Sequence, residues 1–142
     1  MTKRVEGKIA VVTGGATGMG RAHAQLLAEE GAVVVVTDID VEGGKETVKL
    51  IEKDGGTASF VQHDVSSSAG WKVVVDHAVQ SHGRVDILVN NAGILAFTSL
   101  QDTEEDVWDR IFAVNAKGTY LGCKTIIPAM KESKAPSIVN IS

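Results

Sequence analysis

Thr13-Gly14-Gly15-Ala16-Thr17-Gly18-Met19-Gly20 is the stretch on which the reading of this chain turns. Ile9-Ala10-Val11-Val12 before it is a short apolar run of the kind that forms a buried strand. Arg21 to Leu27 after it has the composition of a helix. A glycine-rich turn between a strand and a helix suits phosphate. Residues without Cβ let the backbone turn sharply and approach a ligand closely. The helix start then presents unpaired N–H groups and a partial positive charge, worth up to about 2 kcal/mol in a partly buried site. The spacing, Gly14-x-x-x-Gly18-x-Gly20, is not the Gly-x-Gly-x-x-Gly dinucleotide pattern. Nor is it a P-loop, because Arg21-Ala22 stands where Lys-Ser/Thr would be needed. A tight turn with no ligand would use the same residues, so the rest of the chain has to decide.

Outward from this loop, strand-like and helix-like runs alternate. Ala32 to Thr37 is an unbroken β-branched segment, as in a central parallel strand covered on both faces. Val41 to Asp54 reads as a weak helix interrupted by Gly43-Gly44 and closed by Gly55-Gly56. Ser59 to Gln62 is a third strand. Trp71, Val74, Val75, Ala78, Val79 and His82 form one helical apolar stripe, ended by Gly83. Ile87-Leu88-Val89 is a fourth strand. Thr103 to Asp106 resembles a capping box with Asp in place of Glu. It opens a long helix carrying Val107, Ile111, Val114, Tyr120 and Ile127, which Pro128 should bend or end. Ser137 to Ser142 is a fifth strand. Five strands separated by helices predict an α/β fold: a Rossmann-type, doubly wound parallel sheet with right-handed crossovers, one domain over 1–142.

The whole composition narrows the partners. The chain has 142 residues, 14 basic and 18 acidic, with no basic tract that would suggest nucleic acid. No apolar run is long enough to span a membrane, and the N-terminus reads as no signal peptide. A single cysteine, Cys123, excludes an internal disulfide and fits a reducing cytoplasm. His23, His63, His77 and His82 lack the paired spacing of metal sites, so no metal is expected.

In a doubly wound sheet, ligands bind at the carboxyl ends of strands. Asp38 follows the second strand, eighteen positions after Gly20, where a dinucleotide fold places the acid that binds the adenosine ribose. Such a carboxylate contributes about 1.5–3 kcal/mol to a ribose hydroxyl. It would repel a 2′-phosphate about 4 Å away by roughly 1–4 kcal/mol. The expected cofactor is therefore NAD rather than NADP. Thr17 and Ile39 supply no cation for an extra phosphate. Asp38 could alternatively be a helix N-cap. Asp64-Val65 closes the third strand, as an adenine contact or as a cap for the helix starting near Ser67. Asn90-Asn91-Ala92-Gly93 closes the fourth: two amides to tie neighbouring strand ends, then two small residues that admit a ligand.

Together these pieces resemble the short-chain dehydrogenase/reductase family, in its main NAD-dependent subgroup. The family's Thr-Gly-x-x-x-Gly-x-Gly is Thr13 to Gly20, and its Asn-Asn-Ala-Gly is Asn90 to Gly93. Its helix Asn-x-x-Gly is Asn115 to Gly118, and its catalytic serine is Ser142. The resemblance implies cofactor contacts from Gly14, Thr17, Gly18, Met19, Gly20, Asp38, Asp64, Val65, Asn91, Ala92 and Gly93. It implies hydride transfer between NAD(H) and a secondary alcohol or ketone. Ser142 would orient the substrate oxygen, and Asn115 would hold a water in the proton relay. A homodimer or homotetramer built on the Thr103–Met130 helix is also implied. The family's acid/base tyrosine, with a lysine four residues on, belongs shortly after the serine, where this sequence stops. Tyr120 and Lys124 have the right spacing but precede Ser142; they read as a packing residue and a solvated one. The expectation is thus an N-terminal part of a longer enzyme, turning over no substrate alone. A non-catalytic dinucleotide-binding module stays open as the alternative. A methyltransferase on a similar sheet would also use a glycine turn and an acid after the second strand, but Asn90 to Gly93 and Asn115 argue against it.

Overall fold

The computed structural model describes residues 3–142. Five parallel strands lie in the order β3-β2-β1-β4-β5: Ile9–Thr13 (β1), Val33–Asp38 (β2), Thr57–Gln62 (β3), Ile87–Asn90 (β4) and Ser137–Asn140 (β5). The order reverses between β1 and β4, so the carboxyl ends of these two strands diverge into opposite crossovers and leave a crevice. Register brings Thr13 level with Thr37, and Asp38 level with Gln62.

Alternation along the central strands sends side chains to both faces. On one face Ala10, Val12, Val34 and Val36 pack against α1 (Gly18–Glu29) and α2 (Val41–Lys53). Gly20, Ala24 and Ala28 are the buried stripe of α1, and their small size lets the helix lie close to β1. On the other face Val11, Val35 and Leu88 meet Trp71, Val74 and Ala78 of α3 (Ser68–His82), and Leu121 and Ile126 of α5 (Gly118–Ile126). Each fully buried valine or leucine contributes roughly 1.5–3 kcal/mol.

Several local readings change. The first helix begins at Gly18, not at Arg21, so two glycines of the loop belong to its opening turn. Gly43 and Gly44 do not interrupt α2. A Cβ at Gly44 would overlap the Phe60 ring, so the glycine seats the helix on β3. The stripe of α3 is narrower than its spacing suggests: Val79 is 38% exposed. Gly83 ends α3 in the left-handed region, φ 83°, as expected.

The capping box does not form. Thr103 Oγ1 donates to the Ser99 carbonyl, and α4 (Glu105–Phe112) starts after Glu104 without a side-chain cap. The long helix is four consecutive segments: α4, a π-helical turn over Ala113–Lys117, α5, and a 3₁₀ turn over Ile127–Met130 that contains Pro128. Tyr120 does not pack in the core; it is 56% exposed. Lys124 is exposed as expected, and its Nζ donates to Tyr120 Oη at 3.3 Å. The last strand ends at Asn140, two residues before Ser142.

Candidate functional site

A cleft of about 370 Å³ opens at the carboxyl edge of the sheet. Every residue singled out above for the cofactor lines it: Gly14, Thr17, Gly18, Met19 and Gly20 from the loop, Asp38 from β2, Asp64 and Val65 after β3, and Asn91, Ala92 and Gly93 after β4.

The loop owes its path to contacts that exclude side chains. A Cβ on Gly14 would stand 2.8 Å from Ala92 Cα, and one on Gly20 would overlap the Gly14 carbonyl. Gly18 differs. Its φ is 54°, and nothing lies within 4 Å of where a Cβ would point, so the space above it is open. Polar bonds fix the loop from beneath. Thr13 Oγ1 accepts from the N–H groups of Asn91 and Ala92, each at 3.0 Å. Asn91 Nδ2 donates back to the carbonyls of Thr13 and Gly14 at 3.1 and 3.3 Å. The ends of β1 and β4 are therefore tied to each other. Arg21 donates to the Ala16 and Gly43 carbonyls and to Thr47 Oγ1, which in turn donates to the Gly15 carbonyl at 2.8 Å.

The helix starts differ in a telling way. Asp40 caps α2 by accepting from Gly43 N–H, and Ser67 caps α3 by accepting from Gly70 N–H, at 3.0 and 3.1 Å. Thr17 sits at the N-cap of α1 with no side-chain cap bond, and the first turn holds no acidic residue. An uncapped helix start facing a cleft is equipped for an anion.

Asp38 is not a helix cap. Its Oδ2 accepts from Ala16 N–H and its Oδ1 from Asp40 N–H, both at 3.0 Å. A carboxylate has about four lone-pair positions, so one on each oxygen remains for a diol. Asp64 is not the α3 cap either. Its Oδ1 accepts from the Ser66 N–H and hydroxyl, and its Oδ2 from Arg110 Nη2 at 3.2 Å. The Ser66 hydroxyl bond, followed by the Ser66 N–H and Arg110, holds this carboxyl below its ordinary range against the opposing pull of burial.

Asn115 and Ser142 do not line the cleft. Asn115 lies beside it within the π-helical turn, 3.5 Å from where a Gly93 Cβ would be. Its side chain clamps a loop: Oδ1 accepts from Ile94 N–H and Nδ2 donates to the Ile94 carbonyl, both at 2.8 Å. Each amide atom keeps one further position, a second lone pair on Oδ1 and a second N–H on Nδ2. Ser142 is exposed beyond the end of β5.

Ile94, Val114, Arg110 and His63 also line the cleft, the last three with no weight from the sequence reading. Ile94 and Val114 add apolar wall. Arg110 reaches in from α4, with no local sequence signal to mark it. His63, 3% exposed, lies at the end of β3; the strand-end rule applied to Asp64 could have found it. Its Nδ1 is 3.0 Å from Thr37 Oγ1, and it meets Trp71 edge-to-face with ring centres 4.5 Å apart. Burial pushes the His63 imidazole down to about 4, so it is neutral at physiological pH.

Comparison with known proteins agrees with this architecture. The family model for short chain dehydrogenase matches residues 8–142. Cyclopentanol dehydrogenase from Comamonas testosteroni is 43% identical over 98% of this chain and 56% of that protein. A 3-alpha-(or 20-beta)-hydroxysteroid dehydrogenase from Mycobacterium tuberculosis is 42% identical over the whole of this chain and 54% of its own length. The chain thus spans about half the length of the curated relatives it matches. Among solved structures, a metagenomic short-chain oxidoreductase in complex with NADP superposes with a TM-score of 0.91 at 39% identity, covering 97% of this chain and 63% of that one. By fold, by motif order and by these matches, the chain belongs to the short-chain dehydrogenase family.

Proposed function

We propose that these residues form the NAD(H)-holding part of an oxidoreductase that acts on a secondary alcohol or ketone. The observation that carries this reading is the convergence in one cleft of the uncapped start of α1, the open space over Gly18 and the Asp38 carboxylate. The N–H groups of Thr17, Gly18 and Met19 take the diphosphate. The two open positions on Asp38 accept from the adenosine ribose diol. Asp64 accepts from the adenine amine, while Val65, Ala92 and Val114 face the base. Asn91 supports the loop rather than touching the ligand, and Gly93 leaves room beside Asn115. The bound nicotinamide supplies a site that takes up or gives hydride.

The preference for NAD over NADP rests on charge. Asp38 opposes a 2′-phosphate by roughly 1–4 kcal/mol. Arg110 is the one permanent cation among the described cleft residues, and it is already paired with Asp64. The similar structure that holds NADP makes this preference a property to be measured on this chain.

On the substrate side, Asn115 pins Ile94 so that Leu95 and Phe97, 67% and 97% exposed, stand out from the loop after β4. Two similar proteins are named for alicyclic alcohols. An apolar cyclic secondary alcohol, with its oxygen oriented by Ser142, fits both facts. No phenol lines the cleft among the described residues, and Tyr120 stands on α5 outside it, so the 142 residues by themselves carry no turnover. The stacked, half-exposed Trp108 and Phe112 of α4, with ring centres 4.7 Å apart, are the contact for a homodimer or homotetramer. A single thiol suits a cytoplasmic setting.

Calorimetric titration of the 142-residue chain with NADH and with NADPH tests the cofactor reading. NADH binds, and NADPH binds at least about tenfold more weakly. Equal affinities, or tighter NADPH binding, would contradict the role given to Asp38.

A further inference from the structure

Arg110 is a cleft residue with no task in the account so far. Its Nη2 donates to Asp64 Oδ2 at 3.2 Å, and its Nη1 donates to Ser66 Oγ at 3.0 Å. Ser66 donates to Asp64 Oδ1 twice, through its hydroxyl at 2.6 Å and its N–H at 2.9 Å. Each carboxylate oxygen has two lone pairs. Both on Oδ1 are engaged. On Oδ2 one is engaged by Arg110 and one is open. The open acceptor position of Asp64 is therefore on the oxygen that Arg110 holds.

Stability does not explain the pair. The Arg110 and Asp64 side chains are 46% and 39% exposed, and water screens ion pairs of this kind until little remains. Geometry explains it better. A planar guanidinium bonds two partners in a fixed fork, which an ammonium cannot do. Here the fork spans from α4 to the loop after β3 and sets the direction in which Oδ2 faces the cleft.

The geometry points to Arg110 as a positioning residue for the cofactor's base: by orienting Asp64 Oδ2, it makes the cleft select a purine bearing an exocyclic amine over one bearing a carbonyl at the same place. This rests on the NAD(H) reading above. An amine donates to the open lone pair. A carbonyl oxygen placed there meets a second acceptor and is repelled.

The test compares NADH with reduced nicotinamide hypoxanthine dinucleotide, in which a carbonyl replaces that amine and the neighbouring N1 carries a proton, on the 142-residue chain and on Arg110→Met and Arg110→Lys. The wild-type chain prefers NADH by about tenfold. In Arg110→Met the preference falls below about threefold, through weaker NADH binding and, as the oriented acceptor is released, tighter binding of the hypoxanthine form. Arg110→Lys, which keeps the charge but lacks the rigid planar fork, lies between and covers the case in which the methionine variant fails to fold. No preference in the wild-type chain, a full preference in Arg110→Met, or equal weakening of both dinucleotides would overturn the inference. Binding of neither by the wild-type chain would sink the NAD(H) reading itself, and this inference with it.

Discussion

The two sides of the sheet are finished to different degrees. On the β1–β2–β3 side, β1 is buried along its whole length and β2 at all but its ends, and the loops leaving the strands are tied by side-chain bonds. On the β4–β5 side, β5 is largely exposed, with Val139 at 45%, and Ile141 just past its end is 37% exposed. An apolar cavity of about 470 Å³ lies beside it, lined by Val5, Leu27, Val89, Val139 and Ile141 among others. The difference teaches that the crevice between β1 and β4 takes its shape from the buried central strands and the loops that leave them. Its floor and loop need nothing from β5, whereas Ser142 stands where little packs against it.

The heaviest blow to the closed side is Gly20→Val. The new side chain meets the Gly14 carbonyl, a backbone atom that cannot yield, so a loss of about 3 kcal/mol or more in urea unfolding is expected. A stable variant would show that the loop is not packed as described.

Next comes pH. Folded His63 stays neutral down to about pH 4, whereas an unfolded histidine takes its proton near 6.5. The stability gained by keeping it neutral is complete above pH 6.5, declines as pH falls toward 4, and then levels off. Across that window the wild-type chain loses on the order of 2–3 kcal/mol from this group, and His63→Asn flattens that decline. Parallel urea midpoints at pH 7 and pH 4.5 provide the check, and equal slopes would remove His63 from the floor of the cleft.

Asp38→Ala sharpens the comparison without unfolding the chain. Loss of the charged acceptor weakens NADH binding by about 1.5–3 kcal/mol and narrows the gap to NADPH. An unchanged ratio of affinities would take Asp38 out of the site. The smallest effect belongs to the open side. Ile141→Lys changes stability by less than about 0.5 kcal/mol, since the side chain already faces solvent in part. A large loss there would mean that β5 is as integral to the core as β2.

What the sequence made legible was local or periodic. The loop glycines, the β-branched run of β2, and the strand-end positions of Asp38, Asp64 and Asn91 are each set by neighbours a few residues away or by the rule that ligands gather at strand ends. What stayed hidden depends on partners distant in the chain. Arg110 meets Asp64 across 46 positions. Gly44 is dictated by Phe60, and the exposure of Tyr120 by which face of α5 turns toward Trp71 and Asn90. The π-helical turn had no periodic signature: it is framed by Gly118, whose Cβ would stand 2.7 Å from Val65, and by Asn115, which reaches back to Ile94. The capping-box misreading is of the same kind, since Thr103 had a nearer acceptor in the Ser99 carbonyl.

The most direct measurement is an amide NMR shift map of the chain titrated with NADH. Largest shifts at Thr17, Gly18 and Met19, with smaller ones at Asp38, Val65 and Ala92, are the result this account requires. Shifts confined to the apolar cavity around Leu27, Val139 and Ile141, or no saturable shift at all, would contradict it.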